Sequence, residues 1–559
     1  MQTLNEYPRP QLVRDSYICL NGMWDYAIRK SPEFPDKYDG KINVPFSPET
    51  PLSGVNKTVR PDEWLFYRTE LTFPKGFIKD KVILHFGAVD QTAEVYVNGE
   101  YVGEHIGGFL PFSFDIKPYI TGKKDILTVR VKDVTDTSYY SRGKQSLKRG
   151  GIWYSPQSGI YMPVWMESVS EGYIEKLKIT PDIDNRGVLI KVISKSKTAT
   201  IKVGKNKYET PTNIDFPIEI NNPKLWTPEN PYLYNFTVKT PTDSVDSYFA
   251  MRKISIVKGA DGEKIIALNN QPIFMRGVLD QGYYRNGYLT PSSDEDYIKD
   301  IELTKSLGFN VSRKHIKIES LRWYYHCDRL GLLVWQDFVS GGEKYKIPII
   351  SFPVITGVHI KDKNYGLFGR KNAQGRLECE QEFKDTIDLL YNCPCIVLWT
   401  IFNEAWGQFD AKRIYQDMVK LDNTRIYDHA SGWHDQGVSD TKSLHVYFKR
   451  FKMPRKHTIK NRAVILSEAG GYALKIKGHR FTNIDFGYKF CKDQSALENE
   501  YRKFIELDIL PNIPKGLAAF IYTQLSDVED ELNGFITYDR EVTKVDTATI
   551  KALNEKATY

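Results

Sequence analysis

The sequence predicts two β-sandwiches followed by a parallel (β/α)8 barrel, and three observations support this prediction. The chain has 559 residues, which is too many for a single hydrophobic core. Up to about residue 256 it consists of short alternating runs between turn residues, without helical periodicity. Beyond residue 265, short apolar runs alternate with amphipathic segments of helical period, which is the pattern of βαβ units.

The all-β part divides into two stretches, which we predict to be the domains 1–171 and 172–256. In the first, Asn98-Gly99 separates the alternating run Ala93–Val97 from Tyr101–Gly103. Both positions of such a tight turn need a positive φ, which Asn and Gly tolerate, so the segment is a predicted hairpin. The second stretch has the size of a small immunoglobulin-like β-sandwich.

The third predicted domain, 257–559, contains eight candidate strands, as a (β/α)8 barrel requires. They are Ile273–Val278, Asn310–Arg313, Leu332–Trp335, Ile396–Phe402, Arg425–His429, Leu444–Tyr447, Ala463–Ser467 and Leu517–Thr523. Predicted helices lie between several of them: Asp294–Leu307, Glu319–Leu330, Glu380–Tyr391 and Ser495–Leu507. The intervals after strands five and six are too short for full helices. A long insertion, Val339–Gln374, follows strand three, at the face where barrel loops build active sites.

Composition narrows the function only a little. Aromatic residues make up 13% of the chain, which fits sugar stacking and aromatic-rich sandwich cores equally well. The net charge of +7 is dispersed, so no nucleic-acid surface is predicted. The six cysteines show neither zinc nor redox spacing. Residues 1–7 do not resemble a signal peptide and no run of about 18 apolar residues occurs, so we expect a cytoplasmic protein without membrane segments.

Two carboxylates stand at the predicted ends of strands four and seven. Glu404 follows the apolar run Ile396–Phe402, and Glu468 follows Ala463–Ser467. Catalytic groups of a parallel barrel lie at these strand ends, and a pair of carboxylates is what glycosidic cleavage requires. Each glutamate alone is equally compatible with a helix cap or a surface charge. Together they predict the catalytic pair of a glycosidase.

The chain resembles glycoside hydrolase family 2 over nearly its whole length. The motifs that carry the resemblance are Asn21-Gly22-Met23-Trp24, Val95-Tyr96-Val97-Asn98-Gly99, Gly150-Gly151-Ile152-Trp153, Met275-Arg276-Gly277-Val278, Gly308-Phe309-Asn310-Val311-Ser312-Arg313, Trp399-Thr400-Ile401-Phe402-Asn403-Glu404 and Ser467-Glu468. The resemblance implies a jelly-roll sugar-binding-like domain, an immunoglobulin-like domain and a catalytic TIM barrel. It also implies a retaining exo-β-glycosidase.

The resemblance gives roles to five residues. Glu404 corresponds to the acid/base, Glu468 to the nucleophile, and Asn403 to the donor for the sugar 2-hydroxyl. Tyr447 corresponds to the tyrosine that hydrogen-bonds the nucleophile, although a barrel-filling aromatic is the alternative. Arg313 corresponds to the strand-two arginine near the nucleophile, where a cation favours the ionised carboxylate.

Five further residues are candidate sugar ligands. Three of them stand where the chain departs from the family pattern, and two lie in the loop after strand five. Asp280 stands after strand one in place of the usual Asn-Arg-His-Glu, and His315 follows Arg313 one residue earlier than usual. Tyr522 replaces the tryptophan expected at the floor of the sugar site. Trp433 and His434 follow strand five, and His434 is equally compatible with an exposed loop.

The expected substrate is a terminal β-linked neutral sugar, with β-galactosides as the leading expectation. Family β-glucuronidases carry an Asn-x-Lys motif after strand eight, whereas this chain has Glu531-Leu532-Asn533-Gly534. A β-glucuronidase, a transglycosylase and a non-catalytic glycan-binding protein remain the alternatives. No metal-ligand cluster is visible, although some family members bind Mg²⁺ or Na⁺. Homo-oligomers are common in the family, so the resemblance leaves a homo-oligomer as a possible state of this chain.

Overall fold

The computed structural model of the protein describes residues 4–559, apart from the side chain of Ile355. The N-terminal part is a β-sandwich in which a four-stranded sheet (order β1-β12-β5-β9) faces a six-stranded sheet (order β3-β2-β4-β10-β7-β8). Its strands are β1 (Tyr17–Cys19), β2 (Gly22–Arg29), β3 (Gly40–Val44), β4 (Trp64–Leu71), β5 (Lys81–Phe86), β6 (Val89–Asp90), β7 (Thr92–Val97), β8 (Glu100–Ile106), β9 (Phe112–Asp115), β10 (Asp125–Lys132), β11 (Gly159–Ile160) and β12 (Val164–Val169).

A smaller sandwich follows, with a three-stranded sheet (β13-β14-β17) and a four-stranded sheet (β16-β15-β18-β19). Its strands are β13 (Ile174–Asp182), β14 (Gly187–Ser194), β15 (Thr198–Val203), β16 (Asn206–Pro211), β17 (Asp215–Glu219), β18 (Tyr234–Lys239) and β19 (Ser244–Phe249). The alternation of buried and exposed residues along β14 shows one face turned to a core between the sheets. A small antiparallel sheet then leads into the barrel, formed by β20 (Ile254–Lys258), β21 (Lys264–Leu268) and β22 (Gln271–Pro272).

The C-terminal part is a parallel eight-stranded barrel. Its strands are β23 (Met275–Asp280), β24 (Val311–Lys314), β25 (Leu333–Asp337), β26 (Ile396–Thr400), β27 (Ile426–Asp428), β28 (Thr441–Val446), β29 (Ala463–Gly470) and, after the short pair β30 (Tyr472–Leu474) and β31 (Lys489–Cys491), β32 (Leu517–Thr523). The helices of this part are α1 (Asp294–Ser306), α2 (Leu321–Leu330), α3 (Ile347–Ile350), α4 (Pro353–Thr356), α5 (Ala373–Leu390), α6 (Ala411–Leu421), α7 (Lys456–Ile459), α8 (Gln494–Lys503) and α9 (Thr547–Glu555).

The predicted fold class is confirmed: two sandwiches precede a nearly closed eight-stranded parallel barrel. Each of the eight predicted barrel strands overlaps an observed strand, with ends that differ by up to three residues. The sheet runs β27-β26-β25-β24-β23-β32-β29-β28, and the N–H of Asp440 donates to the carbonyl of Tyr427 where its two edges meet. No helix fills the interval after β27, and only the four-residue α7 follows β28. The domain boundaries at residues 171 and 256 stay a prediction.

Alternation along the barrel strands decides which side chains point inward. In β24, Arg313 points into the barrel mouth. The next residue, Lys314, points the other way, and its Nζ lies 4.1 Å from the ring centroid of Trp323 on α2. The barrel interior is filled by side chains such as Leu279 and Ile521. Because successive strand residues face opposite sides, the same rule assigns every strand-end residue either to the mouth or to the layer beneath the helices.

Two segments border the mouth of the barrel. Residues 339–374 carry α3 and α4 and pack on Ala405 and Trp433 through an apolar cluster. The N-terminal sandwich contributes residues 142–154, whose Arg142 N–H donates to the carbonyl of Gly341 at 3.1 Å. The mouth of the barrel is therefore bordered by the barrel's own insertion and by a segment that belongs to the N-terminal part of the chain.

Candidate active site

Glu404 and Glu468 face each other across the mouth of the barrel. One carboxylate oxygen of each lies within 4.8 Å of the other, and both lie within the same distance of His445 Nδ1. Both side chains are largely buried. Carboxyl groups about 5–5.5 Å apart fit a double displacement, whereas the inverting reaction needs a gap of roughly 6.5–9.5 Å to admit water. An oxygen pair this close leaves less room than the inverting reaction needs, so it favours the retaining geometry.

The backbone around Glu404 is unusual. Glu404 and Ala405 have φ values of +47° and +67°, in the left-handed region that costs energy for residues other than glycine. The N–H of Glu404 donates to the carbonyl of Ser431 at 2.9 Å, and the N–H of Trp406 donates to the carbonyl of Asn403 at 2.8 Å. These bonds hold a turn directly after β26 that aims the Glu404 carboxylate into the mouth.

Glu468 is held as an anion by two donors. Arg313 Nη1 donates to its Oε1 at 3.1 Å, and the hydroxyl of Tyr447 donates to its Oε2. Burial alone would raise the pKa of Glu468, but the nearby charges of His445 and Arg313 outweigh burial and lower that pKa to about 2. Glu468 is therefore ionised at neutral pH, as a nucleophile must be.

Glu404 has the opposite electrostatic environment. Burial raises its pKa, and the negative charge of Glu468 adds to that increase. The Nδ1 of His445, 2.7 Å from Glu404 Oε1, opposes it. Two neighbouring carboxyls whose pKa values are driven apart are the arrangement that assigns an acid and a nucleophile.

Asn403 offers a free donor to the same space. Its Oδ1 accepts from Arg313 Nη2 at 2.8 Å, which fixes the orientation of the amide. Its Nδ2 is buried and has no hydrogen-bond partner among residues 4–559. A buried amide hydrogen without a partner costs free energy unless a ligand or water accepts from it. This donor is available to a sugar hydroxyl.

Three other predicted residues, Arg313, His315 and Tyr447, lie in or beside the mouth. Arg313 joins the site to the neighbouring strand, because its Nε and Nη2 each donate to Asp337 at 3.0 Å. His315 also contacts Asp337, with Nδ1 2.8 Å from Oδ2, and its ring centroid lies 6.0 Å from that of Trp406. Tyr447 is stacked on Tyr488 with ring centroids 4.0 Å apart.

Asp280 and Tyr522 are not in the mouth. Lys314 Nζ donates to Asp280 Oδ2 at 2.6 Å and the N–H of Gly282 to Oδ1 at 2.8 Å, in the layer beneath α2. Tyr522 stacks on Phe535 in the layer beneath the helices, and its neighbour Thr523 points to Tyr447 instead. Both residues were expected to contact the sugar, and both face outward because of strand alternation.

Trp433 and His434 make hydrogen bonds to the insertion at residues 339–374. Trp433 Nε1 donates to the carbonyl of Ile350 at 2.9 Å, and its ring lies behind His445 with centroids 5.2 Å apart. His434 Nδ1 accepts from the N–H of Ile360 at 3.2 Å, so Nε2 carries the proton and donates to the carbonyl of Ile349 at 3.0 Å. Both ring nitrogens of His434 are thus occupied, and it is placed as an anchor for segment 339–374 rather than at the sugar.

Three residues at the site were not predicted from the sequence. His445 lies two residues before Tyr447, so the period of the strand places both on the same face. Asp337 ends β25, the neighbour of Arg313 in the sheet. Lys144 comes from the N-terminal sandwich and lies over Trp406, with Nζ 5.7 Å from the ring centroid. Catalytic groups of a parallel barrel lie at the C-terminal ends of its strands, and we call this the strand-end rule. Applying the rule to every barrel strand would have found His445 and Asp337.

Two clusters of potential metal ligands occur among residues 4–559. The first is Glu404, His445 and Glu468, in which His445 Nδ1 already makes a hydrogen bond to Glu404. The second is His479, Asp539 and Glu541, where Arg285 Nη1 lies 2.9 Å from Asp539 Oδ2 and would repel a cation. Neither set offers the cluster of oxygen ligands that Mg²⁺ prefers. The side chains of these two clusters therefore do not fit Mg²⁺.

Comparison with known families agrees with this architecture. The model of the family 2 sugar binding domain of glycosyl hydrolases matches residues 36–166, the model described as glycosyl hydrolases family 2 matches 175–252, and the model of the family 2 TIM barrel domain matches 260–468. These matches cover most of the chain in the family's domain order. The chain therefore belongs to glycosyl hydrolases family 2.

Curated relatives include the β-galactosidase of Thermoanaerobacter pseudethanolicus, 28% identical over 389 residues that cover 64% of this chain and 47% of the relative. The β-galactosidase of Vibrio vulnificus is 28% identical over 440 residues, covering 72% of this chain and 38% of the relative. The chain thus spans less than half the length of these relatives.

Solved structures share the fold over the whole chain. A β-D-glucuronidase of Dictyoglomus thermophilum superposes with a TM-score of 0.78 and 18% identity, covering 99% of both chains. A β-galacturonidase of Eisenbergiella tayi bound to galacturonate gives a TM-score of 0.73 at 18% identity, covering 98% of this chain and 99% of that one.

Within residues 4–559, no helix combines the length and the apolar character that crossing a membrane would need.

Proposed function

We propose that the protein is a retaining exo-β-glycosidase that hydrolyses terminal β-galactosides by double displacement. The single observation that carries this proposal is the facing pair Glu404 and Glu468, whose carboxylate oxygens lie within 4.8 Å while their pKa values are driven in opposite directions. Family membership supports the same reaction class.

In the first step, a carboxylate oxygen of Glu468 forms a bond to the anomeric carbon as the bond to the leaving oxygen breaks. The electron pair of that bond passes to the leaving oxygen, which takes the proton of Glu404. The Nδ2 of Asn403 is free to donate to the sugar 2-hydroxyl, and Arg313 and Tyr447 keep the attacking carboxylate ionised and oriented. The product is a glycosyl ester of Glu468 and the free aglycone.

In the second step, Glu404 removes a proton from water, which attacks the anomeric carbon and releases the Glu468 carboxylate. Esterification has removed the negative charge of Glu468, and that charge was one reason for the raised pKa of Glu404. The pKa of Glu404 therefore falls in the intermediate, which suits its change from acid to base.

Two observations support a β-galactoside as substrate. The two curated relatives described above are named β-galactosidases, whereas another, from Formosa agariphila, is named a putative β-glucuronidase. The stretch Glu531-Leu532-Asn533-Gly534 after β32 holds no lysine for a uronate: Glu531 Oε2 accepts from the hydroxyl of Tyr154, and Glu531 Oε1 from Asn533 Nδ2 at 3.2 Å. An acidic residue at this position favours an uncharged sugar.

A second candidate is a β-uronide, and one observation favours it. Lys144 brings an ammonium group from the N-terminal sandwich to the rings of Tyr154 and Trp406 beside the mouth. The superposed structures are named a β-glucuronidase and a β-galacturonidase, although at 18% identity they establish the fold alone.

The experiment is a panel of 4-nitrophenyl β-glycosides that contains the galactoside, glucoside, mannoside, glucuronide and galacturonide. The proposal predicts turnover with retention of configuration, read from the anomer first released in an NMR time course. The ratio of galactoside to uronide rates separates the two candidates. Absence of turnover on every β-glycoside across a wide pH range would instead favour a non-catalytic glycan-binding protein.

A further inference from the structure

The insertion at residues 339–374 carries two sets of apolar side chains. Four of them pack on the apolar cluster around Ala405 and Trp433 and so anchor the segment: Ile349, Ile350, Val354 and Ile360. Three others stay in water, since Ile347 is 68% exposed, Phe352 55% and Val358 56%. The anchoring does not use these three. Large apolar side chains left in water within one short segment indicate an interaction surface.

Exposed lysines flank the three apolar side chains along the chain. They are Lys344 and Lys346 before α3, and Lys361 and Lys363 after α4. None of the four has an ion-pair partner within residues 4–559. The one acidic residue from 344 to 363 is Asp362, which is 4% exposed and accepts from Gln408 Nε2 and from the N–H of Ala411. The outer surface of the segment is therefore basic as well as apolar.

A second loop on the same face of the barrel repeats this combination. Phe448 and Lys449 come shortly after β28; Phe448 is 68% exposed, and Lys449 is exposed without an ion pair to the described residues. β28 closes the barrel against β27, and Trp433, in the loop after β27, packs on the insertion. Loops that follow parallel barrel strands open on one face, which is the face of the mouth.

These side chains form what we call the rim patch. Its apolar members are Ile347, Phe352, Val358 and Phe448, and its basic members are Lys344, Lys346, Lys361, Lys363 and Lys449. We propose that the rim patch is a docking surface for an anionic lipid bilayer, which the protein binds without crossing it. At such an interface, apolar side chains enter the boundary between headgroups and acyl chains, and lysine ammonium groups stay at the level of the phosphates.

Two features of the rim patch suit a bilayer. Each lysine near an anionic leaflet adds attraction to it, and the rim patch has no exposed carboxylate that would oppose this attraction. The insertion is already held from beneath, where Trp433 Nε1 donates to the carbonyl of Ile350 and His434 Nε2 to the carbonyl of Ile349. Little order is therefore lost or gained when it binds. Docking in this way turns the mouth of the barrel towards the bilayer.

Charge argues against a second copy of the chain as the occupant. In a two-fold dimer the same surface of both subunits meets, so the lysines of one rim patch would face those of the other. Like charges brought together in this way oppose association. A bilayer with anionic headgroups supplies the opposite charge that the rim patch lacks.

The test is co-sedimentation of the full chain with vesicles of phosphatidylcholine alone, and with vesicles that also contain about 30% of the anionic lipid phosphatidylglycerol. We expect binding to the anionic vesicles. This binding should weaken as NaCl rises from about 0.1 M to about 1 M, because the Debye length falls from about 10 Å to about 3 Å. K344Q/K346Q/K361Q/K363Q should lower the partition coefficient roughly fivefold for each lysine. I347S/F352S/V358S should lower it roughly 10- to 100-fold.

Matched variants elsewhere on the surface control for the change in composition. M23S/I214S/L377S removes three apolar side chains that are 58%, 49% and 64% exposed. K75Q/K123Q/K124Q/K205Q removes four exposed lysines. Both controls should bind anionic vesicles as the wild type does. Circular dichroism and Tm identify the folded variants, and the apolar and lysine variants of the rim patch each test the proposal alone.

Equal binding to neutral and anionic vesicles overturns the proposal, and so do rim-patch variants that bind like their controls. A dimer in sedimentation equilibrium that I347S/F352S/V358S abolishes, together with a wild type that leaves anionic vesicles unbound, also overturns it and assigns the rim patch to a second copy. The measurement needs no substrate, so its outcome is separate from that of the glycoside panel.

Discussion

The Nδ1 of His445 lies 2.7 Å from Oε1 of Glu404. The same nitrogen lies 3.5 Å from Oε2 of Glu468, so one imidazole connects the proposed acid/base and the proposed nucleophile. Its Nε2 lies 2.9 Å from the hydroxyl of Ser431, which fixes the ring from the other side. His445 therefore acts on the protonation of both carboxyls without needing to contact the substrate.

Replacing His445 with alanine should move both limbs of the pH–rate profile to higher pH. His445 opposes the raised pKa of Glu404 and is a main cause of the lowered pKa of Glu468. Without it both pKa values rise, so Glu404 stays protonated to higher pH and Glu468 loses its charge at higher pH. The measurement is kcat/KM against pH. If kcat/KM falls but the two limbs of the pH–rate profile do not move, His445 has only a packing role.

Asn403→Ala should lower kcat/KM roughly 10- to 100-fold. The substitution removes the donor of a hydrogen bond to the sugar 2-hydroxyl, and this hydrogen bond strengthens in the transition state. The matched control is the 2-deoxy substrate, which lacks the acceptor. The loss caused by Asn403→Ala should shrink to within about threefold on that substrate. An equal loss on both substrates would mean that Asn403 acts only by orienting Arg313.

Glu404→Ala should show a leaving-group dependence. A 2,4-dinitrophenyl leaving group departs without protonation, so its first step is largely spared, whereas alkyl glycosides lose activity by about 10²–10⁴-fold. Azide should restore turnover by attacking the intermediate in place of water, and it should give the β-glycosyl azide. A uniform loss on all leaving groups would contradict the acid/base assignment.

His434→Ala should loosen the insertion at residues 339–374 rather than the chemistry. The imidazole joins the carbonyl of Ile349 to the N–H of Ile360, and its loss leaves both partners unsatisfied at a cost of about 1–3 kcal/mol. We expect faster proteolysis within the insertion and a lower Tm. The control is His457→Ala, at an exposed position on α7. Equal proteolysis of the two variants would remove the anchoring role.

The strand-end rule predicted the parts of the site that depend on local sequence. Glu404 and Glu468 each follow a strongly apolar strand, and Arg313 sits in a short strand after the helix-ending Gly308, so their places could be read from neighbouring residues. The sandwich and barrel order was likewise predictable from the change of hydrophobic period. Strand ends were less certain because packing, not propensity, sets them.

The differences between the expected and the observed positions of residues have equally specific causes. Asp280 and Tyr522 stand at the predicted strand ends, but their side chains lie on the outward face. Register shifts between β29 and β32 obscure the alternation near Tyr522. Lys144 could not have been assigned to the site from the sequence. It is far from the barrel along the chain and reaches the mouth only through packing of segment 142–154 against the insertion.

The central claim is that Glu468 is the nucleophile of a retaining reaction, and Glu468→Gly with added azide tests it most directly. The variant should lose activity by roughly 10⁴-fold or more, the scale on which removal of a covalent nucleophile acts. Azide should then fill the space left by the carboxylate and convert the activated β-glycoside to the α-glycosyl azide, with inverted configuration. Activity that survives in Glu468→Gly, or an azide product of β configuration, would contradict the assignment.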